Sequence, residues 1–157
     1  MNTAHFEFWP QRVSKTLTIP ETTLFDNLLV TAKRYPDKEA LVYYGARYTY
    51  RELLAEVESL AGYLEHEMKV ASGERVLLFM QNSPQFLIGY YAILRVRGIV
   101  VPINPMSTAE ELGFYIQDGE IRTGIVGQEL MGQIVNLRKA ASLANVLVAA
   151  YSDYAGT

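Results

Sequence analysis

Two histidines, no cysteine and seventeen acidic side chains are the raw material from which this 157-residue chain would have to build chemistry. Without cysteine there are no disulfides, no thiolate nucleophile and no zinc–thiolate site. His5 lies in an irregular N-terminal arm. His66 stands between Glu65 and Glu67 on an acidic helix end. Consecutive helical residues point different ways around the axis, so that run reads as a surface histidine rather than a metal cage. Glu52, Glu56 and Glu58 spread over the same solvent-facing side and read as a solvated face. Neither GxGxxG nor GxxxxGK[ST] occurs, which removes the dinucleotide fingerprint and the P-loop, and no GxSxG elbow is present. The sequence therefore nominates no catalytic residue, no cofactor-binding residue and no metal ligand.

What remains is position. In an open α/β sheet, ligands lie at the carboxyl ends of the strands. Asn82 and Ser83 follow one expected strand, Asn104 follows the next, and Gly124 and Gly127 flank the end of a third. Each has a structural role competing with binding. Ser83-Pro84 is an N-cap followed by proline at the first helical position, and Asn104-Pro105 is a turn that launches a helix. Eleven tyrosines is a high count. Their clustering at Tyr43, Tyr44, Tyr48, Tyr50, Tyr90 and Tyr91 suits core-edge or interface packing, where one end is dry and the other wet.

The elements that must position these residues are written in strong local signals. Residues 1–22 read as an irregular arm broken by Pro10 and Pro20, whose Phe6, Phe8 and Trp9 should pack on the body or on a neighbour. Residues 23–72 read as helix–hairpin–helix. Thr23 with Asp26 opens the first helix, whose inward stripe is Leu24, Phe25, Leu28, Leu29 and Ala32, and Tyr35-Pro36 ends it. Ala40–Tyr44 and Arg47–Thr49 form a hairpin turned at Gly45-Ala46. Thr49 and Glu52 form a capping box for a helix with Leu53, Leu54, Val57, Leu60, Ala61, Leu64 and Met68 on one side.

Residues 73–157 read as βαβ units. Val76–Met80 is apolar without alternation, as for a strand covered on both faces. Phe86–Val96 is an almost uniformly apolar helix stopped at Gly98. Ile99–Val101 is expected to be a buried strand closed by Pro102, and Ser107 with Glu110 a capping box for a helix to about Gln117. Ile121–Val126 should be a strand, Gln128–Ala141 a helix with Leu130, Ile134, Leu137 and Ala141 inward, and Asn145–Tyr151 a final strand. The expected architecture is α/β, a mainly parallel sheet against or beside which the helix–hairpin–helix packs, and the whole chain forms one unit.

A net charge of −3 and the lack of a basic patch argue against nucleic acid as a partner. No signal peptide and no apolar run of membrane-spanning length is visible. With no cysteine, the expected location is cytoplasmic.

Six short stretches, taken in order, carry a resemblance. They are Thr23-Leu24-Phe25-Asp26, Pro36-Asp37-Lys38-Glu39-Ala40-Leu41, Tyr48-Thr49-Tyr50-Arg51-Glu52-Leu53, Gly73-Glu74-Arg75-Val76, Asn82-Ser83-Pro84-Gln85-Phe86 and Val100-Val101-Pro102-Ile103-Asn104-Pro105. In this order and spacing, from about Thr23 to Val126, the chain resembles the N-terminal part of adenylate-forming enzymes of the AMP-binding superfamily. Asn104 between two prolines, followed by Met106 and Glu110-Glu111-Leu112, is similar to medium- and long-chain fatty acyl-CoA ligases. Arg97 stands where the family usually has glycine, and Glu74 where aspartate is common.

The resemblance implies the N-terminal subdomain of the acyl-CoA synthetase fold. It also implies a longer enzyme that uses ATP, Mg²⁺ and coenzyme A to adenylate a fatty acid and form its thioester. The family's ATP-gripping loop, ribose-binding aspartate and C-terminal lysine have no counterpart in this sequence, so the chain by itself is expected to be inactive. Its expected partners are the rest of such an enzyme or a second copy of itself. Two alternatives stand beside this: a stand-alone doubly wound module that binds a small ligand, and a self-associating interaction domain using the apolar helix from Phe86.

Overall fold

Threonine and serine caps decide where the helices begin. In the computed structural model, which describes residues 3–137 and 143–156, the Thr23 hydroxyl accepts the Asp26 amide while the Asp26 carboxylate accepts the Thr23 amide, starting α1 (Leu24–Arg34). The same reciprocal pair, Thr49 with Glu52, starts α2 (Tyr50–His66). Each such cap is worth about 0.5–2 kcal/mol. Between these helices lies the hairpin of β1 (Glu39–Tyr43) and β2 (Ala46–Thr49), paired antiparallel. Its turn falls on Tyr44-Gly45, both at positive φ, one residue earlier than the sequence suggested. Two positive-φ residues give the twist that a two-residue hairpin turn needs.

The rest is a parallel sheet. β3 (Arg75–Phe79), β4 (Ile99–Pro102), β5 (Thr123–Gly127) and β6 (Asn145–Ala149) are joined in the spatial order β4-β3-β5-β6. All three pairings are parallel. The connections run through α3 (Pro84–Arg95), α4 (Ala109–Asp118) and α5 (Met131–Leu137). β3 shows why a continuous apolar run marks a covered strand. Alternate residues face opposite ways. Val76, Leu78 and Met80 join one core with α1, α2 and α3 residues such as Phe25, Val57, Leu64 and Ile93. Leu77 and Phe79 join the other with Leu112, Ile116 and Ile134 from α4 and α5. The helix–hairpin–helix thus packs on one face of the sheet rather than extending it, and the hairpin remains a separate two-stranded sheet.

Several local expectations are corrected. Among the described residues β4 is an edge strand, paired on one side only, and Ile99 is 47% exposed. Leu24 is exposed because the arm before it does not fold over α1. That arm holds a 3₁₀ turn at Ala4–Phe8, and its aromatics pack among themselves rather than on the body. The Phe6 and Trp9 rings meet edge-on, Lys15 lies over Phe6, and the Trp9 indole donates to the Val13 carbonyl, while Phe8 stays exposed.

The third capping box is Thr108 with Glu111, not Ser107 with Glu110. The Ser107 amide is drawn into the preceding turn by the Asn104 carbonyl, so the helix starts one residue later. The segment from Gln128 splits into a 3₁₀ turn, Gln128–Leu130, and the short α5, with Leu130 and Ile134 buried. Ala141 lies outside the described residues. β6 stops at Ala149, and Tyr151–Tyr154 form a 3₁₀ turn.

The end of α3 differs most instructively. Arg97, not Gly98, takes the left-handed conformation, with φ of 61°. The Gly98 amide bonds to the Ile93 carbonyl and the Arg97 amide to that of Leu94, the paired bonds of a Schellman stop. Gly98 is needed for another reason. A Cβ there would lie 2.9 Å from the Ile93 side chain and 3.3 Å from the Glu74 carbonyl. α3 itself is mostly buried between α1, α2 and the sheet, leaving only Leu87 of its apolar face exposed. The apolar helix expected to drive self-association is therefore spent inside the fold.

Candidate functional site

The carboxyl ends of the four strands present the segments in which a ligand was expected. The structure distributes the nominated residues rather than gathering them. Ser83 is an N-cap, its hydroxyl accepting the Phe86 amide at 3.2 Å. Asn104 closes its own turn, its side-chain oxygen accepting the Met106 amide at 2.9 Å. Asn82 and Ser83 line a cavity of about 330 Å³ with Leu41, Tyr43 and Phe86. Asn104 lines a different one, about 440 Å³, along β4. Gly124 sits within β5, where a Cβ would press on Leu77 at 3.3 Å. His5 rests against Phe6 in the arm, and His66 is exposed in the last turn of α2.

Gly127 leads to residues the sequence reading passed over. A Cβ on it would lie 2.6 Å from the Tyr151 hydroxyl and 2.9 Å from the Glu129 carboxylate. That hydroxyl donates to Glu129 Oε1 at 2.6 Å and accepts the Gln81 amide at 2.8 Å. The residue just past β6 is thereby tied to the ends of β3 and β5. Burial first, then the bond to Glu129, pushes the Tyr151 phenol up to about 12. A proton held that firmly makes Tyr151 a brace, not a general base.

Three residues on, the Tyr154 hydroxyl donates to Glu56 on α2 at 2.8 Å, and the Tyr154 carbonyl accepts the Tyr48 hydroxyl at 3.0 Å. Burial foremost, with the Glu56 bond, raises the Tyr154 phenol as well. Glu74, standing where the resemblance leads one to expect aspartate, is also structural. One of its oxygens accepts the buried Thr123 hydroxyl and the other the Ala71 amide.

Between α2, α3 and β6 runs a recess of about 360 Å³. Leu60, Ile88, Ile125 and Leu147 supply apolar surface, and Glu56, Asp153, Gln85, Ser59, Tyr63 and Tyr154 polar groups. The Gln85 amide donates to the Ala150 carbonyl at 2.7 Å, which fixes its orientation. Among the described residues its Oε1 is buried without a partner. One signal for it was legible: a glutamine at the second position of a helix otherwise apolar nearly all round.

Comparison with known proteins places these features. The sequence pattern of the family described as AMP-binding enzyme matches residues 28–154. A long-chain-fatty-acid–CoA ligase of Bacillus subtilis is 30% identical over 146 residues, which is 93% of this chain and 26% of that protein. Among solved structures, a long-chain-fatty-acid-CoA ligase of Archaeoglobus fulgidus superposes with a TM-score of 0.79 over 88% of this chain and 30% of its own, at 24% identity. The N-terminal domain of FACL13 from Mycobacterium tuberculosis superposes at 0.76 over 82% of this chain and 34% of its own, at 26% identity. The chain thus spans a fifth to a quarter of the length of the curated relatives it matches. Its α/β fold is that of the N-terminal domain of acyl-CoA ligases.

Proposed function

The chain belongs to the AMP-binding enzyme family, and from that membership we propose that it is the N-terminal portion of an ATP-dependent fatty acid–CoA ligase. In that reading the whole enzyme activates a fatty acid as its adenylate and passes the acyl group to coenzyme A, with Mg²⁺ accompanying ATP. The observation carrying it is the alignment of nearly this entire chain with about a quarter of a long-chain-fatty-acid–CoA ligase.

The role left to these 157 residues is scaffold. Phosphoryl chemistry needs cations and backbone donors held in place around the polyphosphate. The stretches that follow the four strands, residues 80–84, 103–108, 128–131 and 150–156, contain no lysine or arginine. The glycine at the end of β5, Gly127, is already covered by Tyr151 and Glu129 and offers no open cradle for a phosphate. These residues do not fit the polyphosphate of a nucleoside triphosphate. ATP–pyrophosphate exchange with a fatty acid measures this directly. The purified chain should give the rate of a no-protein control, and exchange above it would overturn the scaffold reading.

A self-associating role is favoured by a different surface from the one the sequence suggested. Along the β4 edge and α4, Ile99, Met106, Phe114 and Tyr115 are all exposed, beside the outer side of β4, which no described strand pairs with. Exposed edges of this kind invite pairing. Sedimentation should show concentration-dependent association that Ile99→Lys weakens; a monomer at every concentration removes this reading.

A further inference from the structure

We propose that residues 12–19 of the N-terminal arm are a strap that closes over the bare outer side of β4 in the same chain, as an added antiparallel strand. The segment alternates, with Val13, Leu17 and Ile19 on one side and Ser14, Thr16 and Thr18 on the other. Valine, isoleucine and threonine are strand formers. Yet the segment lies outside every strand, with Leu17 86% and Ile19 75% exposed. β4 offers the complementary surface. Among the described residues no strand pairs with its outer side. A groove of about 440 Å³ runs between it and α4, lined by Ile99, Val101, Ile103 and Tyr115.

Backbone alternation sets the register. The Ile99 and Ile103 amides donate inward, to the Glu74 and Leu78 carbonyls, so Val100 and Pro102 turn their backbone groups outward. Pro102 has no N–H, which leaves the Val100 amide and the carbonyls of Val100 and Pro102. Thr18 opposite Val100 uses all three: that pair exchanges two bonds, and the Thr16 amide donates to Pro102. Leu17 and Ile19 then stand opposite Val101 and Ile99, on the groove side. Pro20, also without an N–H, falls opposite Gly98, whose amide is already bonded to Ile93. Length agrees. Thr23 lines one recess with Arg97, two residues before β4, and the four residues from Ile19 to Thr23 reach about 13 Å. Charge agrees as well. Lys15 comes to the end where α4 begins with Glu110 and Glu111, and Glu21 to the end that carries Arg75, Arg97 and Asp118. Exposed local contacts hold the arm open, the Ser14–Thr16 hydrogen bonds and Lys15 over Phe6. Closing exchanges them for burial of Leu17, Ile19 and Ile99. The inference is independent of the proposed ligase role, and a second copy would compete with the strap for the same edge.

Engineered cysteine pairs read the register directly, since the chain has no cysteine of its own. Ile19→Cys with Ile99→Cys, facing neighbours in this register, should form a disulfide within one chain. Thr18→Cys with Ile99→Cys, whose side chains leave opposite faces, should do so at least about tenfold more slowly. Hydrogen exchange on the full chain is an independent readout. The Val100 amide should exchange at least about tenfold more slowly in the wild type than in the double variant Leu17→Asp, Ile19→Asp, while β3 and β5 amides do not change. A disulfide joining two chains, equal rates for the two cysteine pairs, or a Val100 amide equally fast in both proteins would each overturn the strap.

Discussion

The two edges of the sheet are built in opposite ways. β6 is an outer strand on one side, yet the residues after it fold back as a clasp. Tyr151 bonds to Glu129 and to the Gln81 amide, Gln85 holds Ala150, and Tyr154 reaches Glu56 while Tyr48 reaches its carbonyl. The last described glycine, Gly156, lies so close to the hairpin that a Cβ would come within 2.8 Å of the Ala46 amide and the Tyr44 carbonyl. β4, the other edge, has no such covering among the described residues. Its outer side carries exposed Ile99, and the chain leaves it through the Asn104 turn. An edge can therefore be secured by side-chain bonds at its end without another strand beside it. Where that does not happen, the apolar surface stays bare.

Removing the clasp breaks the contrast most strongly. Ending the chain at Ala150 deletes the Tyr151 and Tyr154 bonds and the packing of Tyr154 on Tyr48, whose ring centroids are 5.7 Å apart. The expected loss is on the order of 3 kcal/mol in urea unfolding, from several hydrogen bonds and two partly buried rings. Hydrogen exchange adds the discriminating readout: amides of β6 should lose protection while those of β4 do not change. Equal loss at both edges would mean that the clasp stabilises the whole fold rather than its own edge.

A subtler attack is Gly127→Ala. The new Cβ would sit 2.6 Å from the Tyr151 hydroxyl, so the tyrosine must move off Glu129, at a cost of about 1–3 kcal/mol. Gly132→Ala in α5, where a Cβ meets no atom of the described residues within 4 Å, serves as control and should be neutral or slightly stabilising. The same hydroxyl gives a pH signature. Its folded-state value is raised to about 12 from an ordinary 10.0, so the folded chain holds a proton that the unfolded chain releases. The stability it contributes is complete below pH 10 and is lost as the pH climbs towards 12. Comparing unfolding of the wild-type chain and Tyr151→Phe from pH 8 upward, the difference between them should shrink above pH 10. A constant difference across that range would show that the phenol's proton plays no part.

This contrast also separates what the sequence makes legible from what it hides. β3 and the caps at Thr23, Thr49 and Ser83 are local patterns, and they formed where their residues predicted. Parallel order followed from helices between strands, but nothing local states which strand lies at an edge. Ile99-Val100-Val101 reads as a buried strand as fully as Val76-Leu77-Leu78 does. The clasp is harder still. Tyr154 and Glu56 are 98 residues apart and Tyr151 and Gln81 are 70 apart, so neither partner carries a sign of the other. The candidate site suffers the same way: Asn82 and Asn104 share a sheet rim in principle but open onto separate cavities.

The smallest expected effect lies beside the bare edge and has the opposite sign. Arg97 holds a left-handed conformation, φ 61°, immediately before β4, and a side chain there costs roughly 1 kcal/mol relative to glycine. Arg97→Gly keeps the two Schellman bonds, which use only backbone atoms of Ile93, Leu94, Arg97 and Gly98. The gain is partly offset because glycine is freer in the unfolded chain, leaving about 0.5 kcal/mol of stabilisation. Gly98→Ala, one residue on, must instead destabilise, because its Cβ would lie 2.9 Å from the Ile93 side chain. Adjacent positions with opposite signs in one urea series would show that the left-handed turn and the close approach are separate requirements, met by different residues. If Arg97→Gly also destabilised, the arginine would be contributing through its side chain, and the stop of α3 would no longer be a matter of backbone alone.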